Sequence, residues 1–375
     1  DISEEVGNWG DHGCLGFALD PDFSANGNIY LLYVVDRHYL LNYGTANYRA
    51  NSNDYVSACI GRLTRYTCTA SNNFRSVNLA SRFILLGESK TNGFPVLSDT
   101  HGVGSLVFGQ DGTLLISCGD GATAWQVDTG GAANGSYAPQ ALSDGIIRSK
   151  ENIGAYRAQL VDSLGGKILR IDPATGNGVA SNPFYDAANP RSAKSRVWAV
   201  GTRNPFRMSL RPNSGSHDPA DANPGVLYIG NVGWDNWESL KLVTGPGQNL
   251  GWPLFEGLEQ TPDFIAGGTY NVDVYNQDAP NPLYPGSGCS QYFSFRQLLK
   301  QDSTNAANQP PFNNPCNGSQ KIPSSIPQFL HRRPAFDWNH ASAITRTPTY
   351  DATGAAVATN VGVAGSPVTG TQFAG

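Results

Sequence analysis

The sequence predicts an all-β protein, and more narrowly a β-propeller of four-stranded antiparallel blades with long loop insertions. Three observations lead there. Charged residues are only 15% of the 375, against 43 Gly, 24 Pro, 16 Tyr and 16 Phe. Turn formers and strand-favouring aromatics thus dominate a chain poor in the residues that build solvated helices. Short apolar or alternating runs recur between Pro, Asn-Gly and Asp-Gly signals. One order of strands and turns repeats along the chain, as it does in radially arranged sheets.

The first unit opens with Gly13–Leu19, stopped by Asp20-Pro21 and turned by Ala25-Asn26-Gly27-Asn28. Ile29–Val35 follows, then a polar excursion over 36–57. Ile60–Thr67 alternates as a half-exposed strand does, and Phe83–Leu86 is a short fourth strand. The second unit runs Ser105–Phe108, the turn Gln110-Asp111-Gly112, Leu114–Ser117, a long excursion, then Gly166–Asp172. Asp-Gly between two apolar runs is a strong hairpin signal. The third runs Arg207–Leu210, Val226–Gly230, Glu238–Val243 and a Gly-Trp-Pro turn at 251–253. Many short strands also suit a β-sandwich; long loops at the same step of each unit favour the propeller.

Residues 258–335 break the rhythm and read as one Pro/Asn/Gln-rich insertion with little apolar content and a short helix about Phe295–Lys300. Phe336–His340 stands where the loop and first strand of a next unit belong, Ala343–Tyr350 is again strand-like, and the Gly/Ala/Val/Thr-rich end supplies no closing blade. A propeller must close to remove its edges. Residues 1–375 are therefore expected to be a single propeller domain lacking its first strand and last blades. The remaining parts of a larger polypeptide or assembly would cover the open edges.

A formal net charge of −5 without a basic run gives no reason to expect nucleic acid. No apolar run reaches the length of a membrane span. Six cysteines include no CxxC pair, which argues against zinc or iron–sulfur sites. Cys289 and Cys316 flank the exposed insertion and are the expected disulfide. Cys14 and Cys118 lie in apolar strands, as buried free thiols or as a bonded pair. Low Lys content and the expected disulfide point to a secreted, periplasmic or cell-surface location.

Polar residues collect just outside the strands. Asp11 and His12 precede the first strand of unit one, His101 that of unit two with Asp120 leaving it, and Arg203-Asn204-Pro205 that of unit three, with 231–238 leaving it. Each is the kind of residue that caps a strand end; their recurrence at one phase makes a common site the better reading. A neutral imidazole there accepts a proton from a hydroxyl, and a guanidinium holds a carboxylate or quinone oxygen. No Gly-x-Ser-x-Gly elbow or spaced pair of acids supports a hydrolase.

Several stretches resemble one family. They are Gly13-Cys-Leu-Gly-Phe-Ala-Leu-Asp-Pro-Asp-Phe23, His101 with Gly104-Ser-Leu-Val-Phe-Gly-Gln-Asp-Gly112, Gly119-Asp120, Gly166-Lys-Ile-Leu-Arg-Ile-Asp172, Gly201-Thr-Arg-Asn-Pro205, Gly230-Asn-Val-Gly233 with Trp237-Glu238, and Asn249-Leu-Gly-Trp-Pro253. Together they resemble the soluble quinoprotein glucose/sorbosone dehydrogenases. The resemblance implies a six-bladed propeller using pyrroloquinoline quinone (PQQ) and calcium to oxidise aldose sugars. It implies His101 as general base, Asp120 as the carboxylate that orients it, and Arg203 and Asn204 as contacts to the quinone. It places calcium near the backbone of Gly233 and Trp234. Asp11 stands at a cofactor-side position where glucose-oxidising members have Gln, Asn231 replaces an Asp, and Ser105 stands where some members have Arg.

The family's further cofactor-holding Lys and Arg come from later blades. Two functions are therefore carried forward. One is an extracytoplasmic sugar oxidoreductase passing hydride to PQQ and electrons to an external acceptor. The other is a non-catalytic propeller serving as a ligand-binding or structural module.

Overall fold

The computed structural model describes residues 1–265, 273–305, 307, 309–370 and 372; parts of the expected insertion and of the C-terminal stretch lie outside them. The first sheet orders β1 (Cys14–Leu19), β2 (Asn28–Val34), β3 (Cys59–Cys68) and β4 (Val77–Leu86), with β5 (Phe94–Val96) beside the start of β3. The second orders β6 (Val103–Phe108), β7 (Leu114–Cys118), β8 (Lys167–Ile171) and β9 (Val197–Val200), with β13 (Gln248–Asn249) added parallel to β9. The third orders β10 (Asn204–Leu210), β11 (Leu227–Val232) and β12 (Trp237–Val243), then Phe336–Asn339, Thr345–Tyr350 and Ala356–Asn360.

The turn chemistry explains the hairpins. In β6–β7, Phe108 faces Leu114 across Gly112, which takes a φ of +75°. Asp111 Oδ1 accepts the Thr113 amide at 3.0 Å and hydroxyl at 2.7 Å. Asp111 Oδ2 pairs with Arg170 Nη2 on β8 at 2.6 Å, with both side chains buried, so the turn is tied to the third strand of its own sheet.

The first strands of the three sheets lie side by side. β6 contacts both β1 and β10. Gly104 makes the approach possible, because a Cβ there would stand 2.7 Å from the Pro205 carbonyl. The middle sheet is covered on both faces. Leu114, Ile116 and Leu169 pack with Leu32, Val34 and Leu63 of the first sheet. Leu115 and Ile168 pack with Leu227, Ile229 and Val243 of the third. This is why β7 reads as a continuous apolar run while β12 alternates. Each such side chain contributes about 1.5–3 kcal/mol on burial. The outer faces leave Phe17, Leu79 and Val357 exposed.

Three expectations are corrected. The sheets are not uniform four-stranded units: the third has six strands and the second carries a parallel addition. Phe336–Asn339 does not open a further unit but pairs antiparallel with β12, Trp237 facing Asn339 and Leu240 facing Phe336. The insertion is thus an excursion within the third sheet. Nor does that excursion lack apolar content, since Ala279, Phe293, Leu298, Ile322 and Ile326 form a small core. Cys289 and Cys316 are bonded, and a short helix at Phe295–Leu298 is present. Cys14 and Cys118 are free; Cys118 is buried, whereas Cys14 is exposed on the open side of β1.

Candidate active site

The hairpin β6–β7 opens, opposite its turn, onto His101 and Asp120. His101 has a φ of +55°, a left-handed conformation that costs a non-glycine residue about 1 kcal/mol or more. Its neighbours impose it: the Gly119 amide donates to the Gly102 carbonyl and the Gly121 amide to the His101 carbonyl. A side chain at position 119 would strike the His101 backbone, at 2.3 Å from its carbonyl oxygen.

His101 Nδ1 lies 2.9 Å from Asp120 Oδ1, and both side chains are buried. Asp120 Oδ1 also accepts the Ala122 amide at 2.9 Å, and Oδ2 accepts Trp252 Nε1 at 2.6 Å. The Asp120 amide donates to the Arg203 carbonyl, and its own carbonyl accepts Arg157 Nε at 3.0 Å. A carboxylate held this way fixes the proton on Nδ1 and leaves Nε2 with its lone pair. Among the described residues Nε2 has no hydrogen-bond partner. Burial first, then the Arg203 charge, push the His101 pKa down despite the pull of Asp120. Burial opposes the charge on Asp120, yet His101, Arg203 and the Ala122 amide hold its carboxyl below the ordinary range.

Arg203 stands beside this pair. Its guanidinium lies over the Trp252 ring at 5.5 Å, and Nη1 donates to the Gly233 carbonyl at 2.6 Å. It forms no ion pair among the described residues, and its Nε is buried without a partner. Burial lowers its pKa, against the pull of the nearby charges of Asp120, Glu256, Glu238 and Asp11. Asn231 Oδ1 accepts the Arg203 amide at 3.1 Å, so the neutral amide found in place of an acid here has a backbone to hold. Asn204 is buried and opens β10 opposite Val232. Asp11 is exposed, but its charge acts on His12, His101 and Arg203, so it borders the same mouth. Ser105 lies away from that chemistry and ties β6 to the Phe206 carbonyl of β10 at 3.1 Å.

Gly233 and Trp234 are organised differently from the expected metal site. The Gly233 carbonyl is taken by Arg203, and its amide donates to Glu238 Oε2 at 3.0 Å. One buried oxygen, Glu256 Oε1, accepts the amides of Trp234, Asp235, Asn236 and Trp237 at 2.6, 2.9, 3.1 and 3.2 Å. No group of three or more His, Cys, Asp or Glu with metal-binding geometry occurs among the described residues. Gly233 is a poor calcium donor as placed here, because the Arg203 guanidinium occupies its carbonyl and one oxygen each of Glu238 and Glu256 is spent on amides.

The structure thus brings His101, Asp120, Arg203, Asn204 and Asp11 to one mouth. Sequence reasoning missed Trp252 and Glu256. The Gly-Trp-Pro turn was visible, but nothing local indicated that its indole reaches Asp120 across 132 residues.

A buried imidazole–carboxylate pair and a buried guanidinium thus lie together where the first strands of successive sheets meet. The chain belongs to the glucose/sorbosone dehydrogenase family, whose model matches residues 2–276. It is 25% identical over 316 residues to the HIPL1 protein of Arabidopsis thaliana, covering 77% of this chain and 39% of that one. It is 27% identical over 143 residues to the aldose sugar dehydrogenase YliI of Escherichia coli (strain K12), covering 36% of this chain and 34% of that one. The chain thus spans about two fifths or less of these relatives. Among solved structures, the PQQ-bound aldose sugar dehydrogenase of Streptomyces coelicolor superposes with a TM-score of 0.42 at 18% identity, covering 95% of this chain and 69% of that one. No helix among the described residues is long and apolar enough to cross a membrane.

Proposed function

We propose that this chain carries the proton-transfer half of an extracytoplasmic quinoprotein that oxidises an aldose or related sugar. The observation that carries the reading is the His101–Asp120 pair, whose carboxylate faces Nδ1 and leaves Nε2 to act, beside Arg203, whose Nε is buried without a partner.

In this reading His101 Nε2 takes the proton from the anomeric hydroxyl as hydride leaves the adjoining carbon. Asp120 then faces an imidazolium and stabilises it, while the Trp252 indole and the Ala122 amide keep the carboxylate from turning away. The depressed pKa keeps His101 neutral, and so competent as a base, at neutral pH. PQQ, when bound, supplies the two-electron sink. Its carboxylate and quinone oxygens suit a planar guanidinium, and Arg203 and Asn204 are the residues here that would hold it. Calcium at Gly233 and Trp234 is left out, because Arg203 holds that carbonyl. The proposal includes further cationic contacts from polypeptide beyond this chain, closure of a six-bladed propeller, an external electron acceptor, and a periplasmic, secreted or cell-surface location.

The alternative is a non-catalytic propeller module. It is favoured by the small number of cations beside His101 among the described residues, set against a cofactor with three carboxylates. The test is titration with PQQ, followed by dye reduction over a panel of aldoses. Quinone uptake with sugar-dependent reduction supports the oxidoreductase. Absence of uptake by protein extended with its remaining blades supports the module.

A further inference from the structure

A second cavity, about 400 Å³, lies well away from the mouth, between the loop entering β5, residues 145–164 and the segment leading into β9. Four cations line it: Arg148, Arg191, Lys194 and Arg196. Three are matched. Arg148 pairs with Glu151 at 2.8 Å and Asp162 at 2.6 Å, Lys194 with Asp186 at 3.0 Å, and Arg191 with Glu88.

Arg196 is not matched. It is 1% exposed and forms no ion pair among the described residues. Its Nε donates to the Gly176 carbonyl at 2.8 Å and Nη2 to the Leu85 carbonyl at 3.2 Å. Its Nη1 has no hydrogen-bond partner among the described residues, although the side chain lines the cavity. Arg191 Nη2 donates to the same Leu85 carbonyl at 3.1 Å. Two guanidiniums therefore converge on one neutral oxygen, with only one carboxylate between them. Burial, then repulsion from Arg191, pushes the Arg196 pKa down to about 9. Leaving a buried charge unmatched is costly, and an anion in the cavity would relieve it.

We propose that this cavity binds a small tetrahedral oxyanion, phosphate or sulfate, between the guanidiniums of Arg191 and Arg196. Arg196 Nη1 is the free donor aimed at such an anion and the Arg191 charge adds to it, while the acids on the same wall, Glu151, Asp162 and Asp186, are already paired with Arg148 and Lys194. The site is independent of the redox reading, since none of its residues belongs to the mouth.

The test is calorimetric titration of the PQQ-free chain with inorganic phosphate and with sulfate, at ionic strength held constant with chloride. Saturable one-to-one binding is expected. Arg196→Gln and Arg191→Gln should each weaken it about tenfold or more, the worth of a charge-assisted hydrogen bond. Arg191 is partly exposed, so Arg191→Gln decides the matter if Arg196→Gln does not fold. Glucose 6-phosphate distinguishes the sources: tighter binding than inorganic phosphate assigns the site to an esterified oxyanion, weaker binding to the free ion. No saturable binding of either inorganic ion, or parental affinity in the folded variants, overturns the proposal.

Discussion

Asp120→Asn tests the architecture of the site without waiting for a substrate. The carboxylate accepts three hydrogen bonds: His101 Nδ1 and the Ala122 amide on Oδ1, and Trp252 Nε1 on Oδ2. An asparagine has one acceptor oxygen. If that oxygen keeps the Oδ1 side, the new NH2 faces the buried Trp252 indole, donor against donor. If it takes the other side, His101 and Ala122 lose their acceptor. Either way at least one buried donor is orphaned, at about 1–3 kcal/mol, and a charge-assisted bond worth about 1.5–3 kcal/mol goes with it. The expected loss is about 2.5–6 kcal/mol by urea denaturation, a large part of the whole stability of an ordinary domain. In the parent, 15N NMR of the imidazole should show the proton on Nδ1; in the variant it moves to Nε2 where the new NH2 faces His101 and stays where the oxygen does, and the His101 pKa should fall further because Asp120 supports the charged ring. An Nε2–H tautomer in the parent, or a variant as stable as the parent with the same tautomer, would refute the reasoning.

Three further outcomes follow. Glu256→Gln removes the charge that gathers four amides of residues 234–237, so hydrogen exchange there should accelerate about tenfold to a hundredfold, with little change in β6–β7. Reducing the Cys289–Cys316 bond, whose residues are 27 apart, should cost about 3–4 kcal/mol of chain-entropy stabilisation, read as proteolytic cleavage within the insertion. Stability should fall as the pH drops below about 6.5: His12, His101 and His331 all have lowered pKa values, so the unfolded chain binds protons that the native chain excludes. Each histidine contributes at most about 1 kcal/mol between pH 6.5 and 5.5, because the unfolded imidazole is already about half protonated at the upper end, and the three together at most about 3 kcal/mol. Burial raises the Asp337 pKa, which acts with the opposite sign and partly offsets the loss at the acid end. Flat stability from pH 7 to 5.5 would contradict the burial of those rings.

What was legible in the sequence was local. The Asp-Gly turn fixed the β6–β7 hairpin, and the hairpin placed His101 and Asp120 together, because two strands joined by a tight turn have one open end. The repeated position of Asp11, His101 and Arg203 before the first strand of each unit located the mouth, since those first strands lie side by side. What was not legible was decided by pairing at long range. Phe336-Asp-Trp-Asn has the pattern of any half-buried strand, and only its hydrogen bonds to β12 show that it continues the third sheet instead of opening another. Scattered Phe293, Leu298, Ile322 and Ile326 gave no periodic signal, yet the excursion gathers them, the first two inside the disulfide-closed loop and the last two beyond it. Trp252, in the Gly-Trp-Pro turn, and Glu256, four residues on, reach the site from beyond the third sheet's β12, and nothing local ties either of them to it.

The central claim is that His101 is the base. It is tested most directly by comparing His101→Ala with the parent, both carrying PQQ, in sugar-dependent dye reduction. The account predicts that kcat falls about a hundredfold or more, the ordinary worth of a positioned base. PQQ affinity should stay within a few-fold and the fold should be intact. The parent's rate should decline on the acid side of a pKa below that of a free imidazole. A His101→Ala protein that binds the quinone and oxidises the sugar at the parental rate would contradict it.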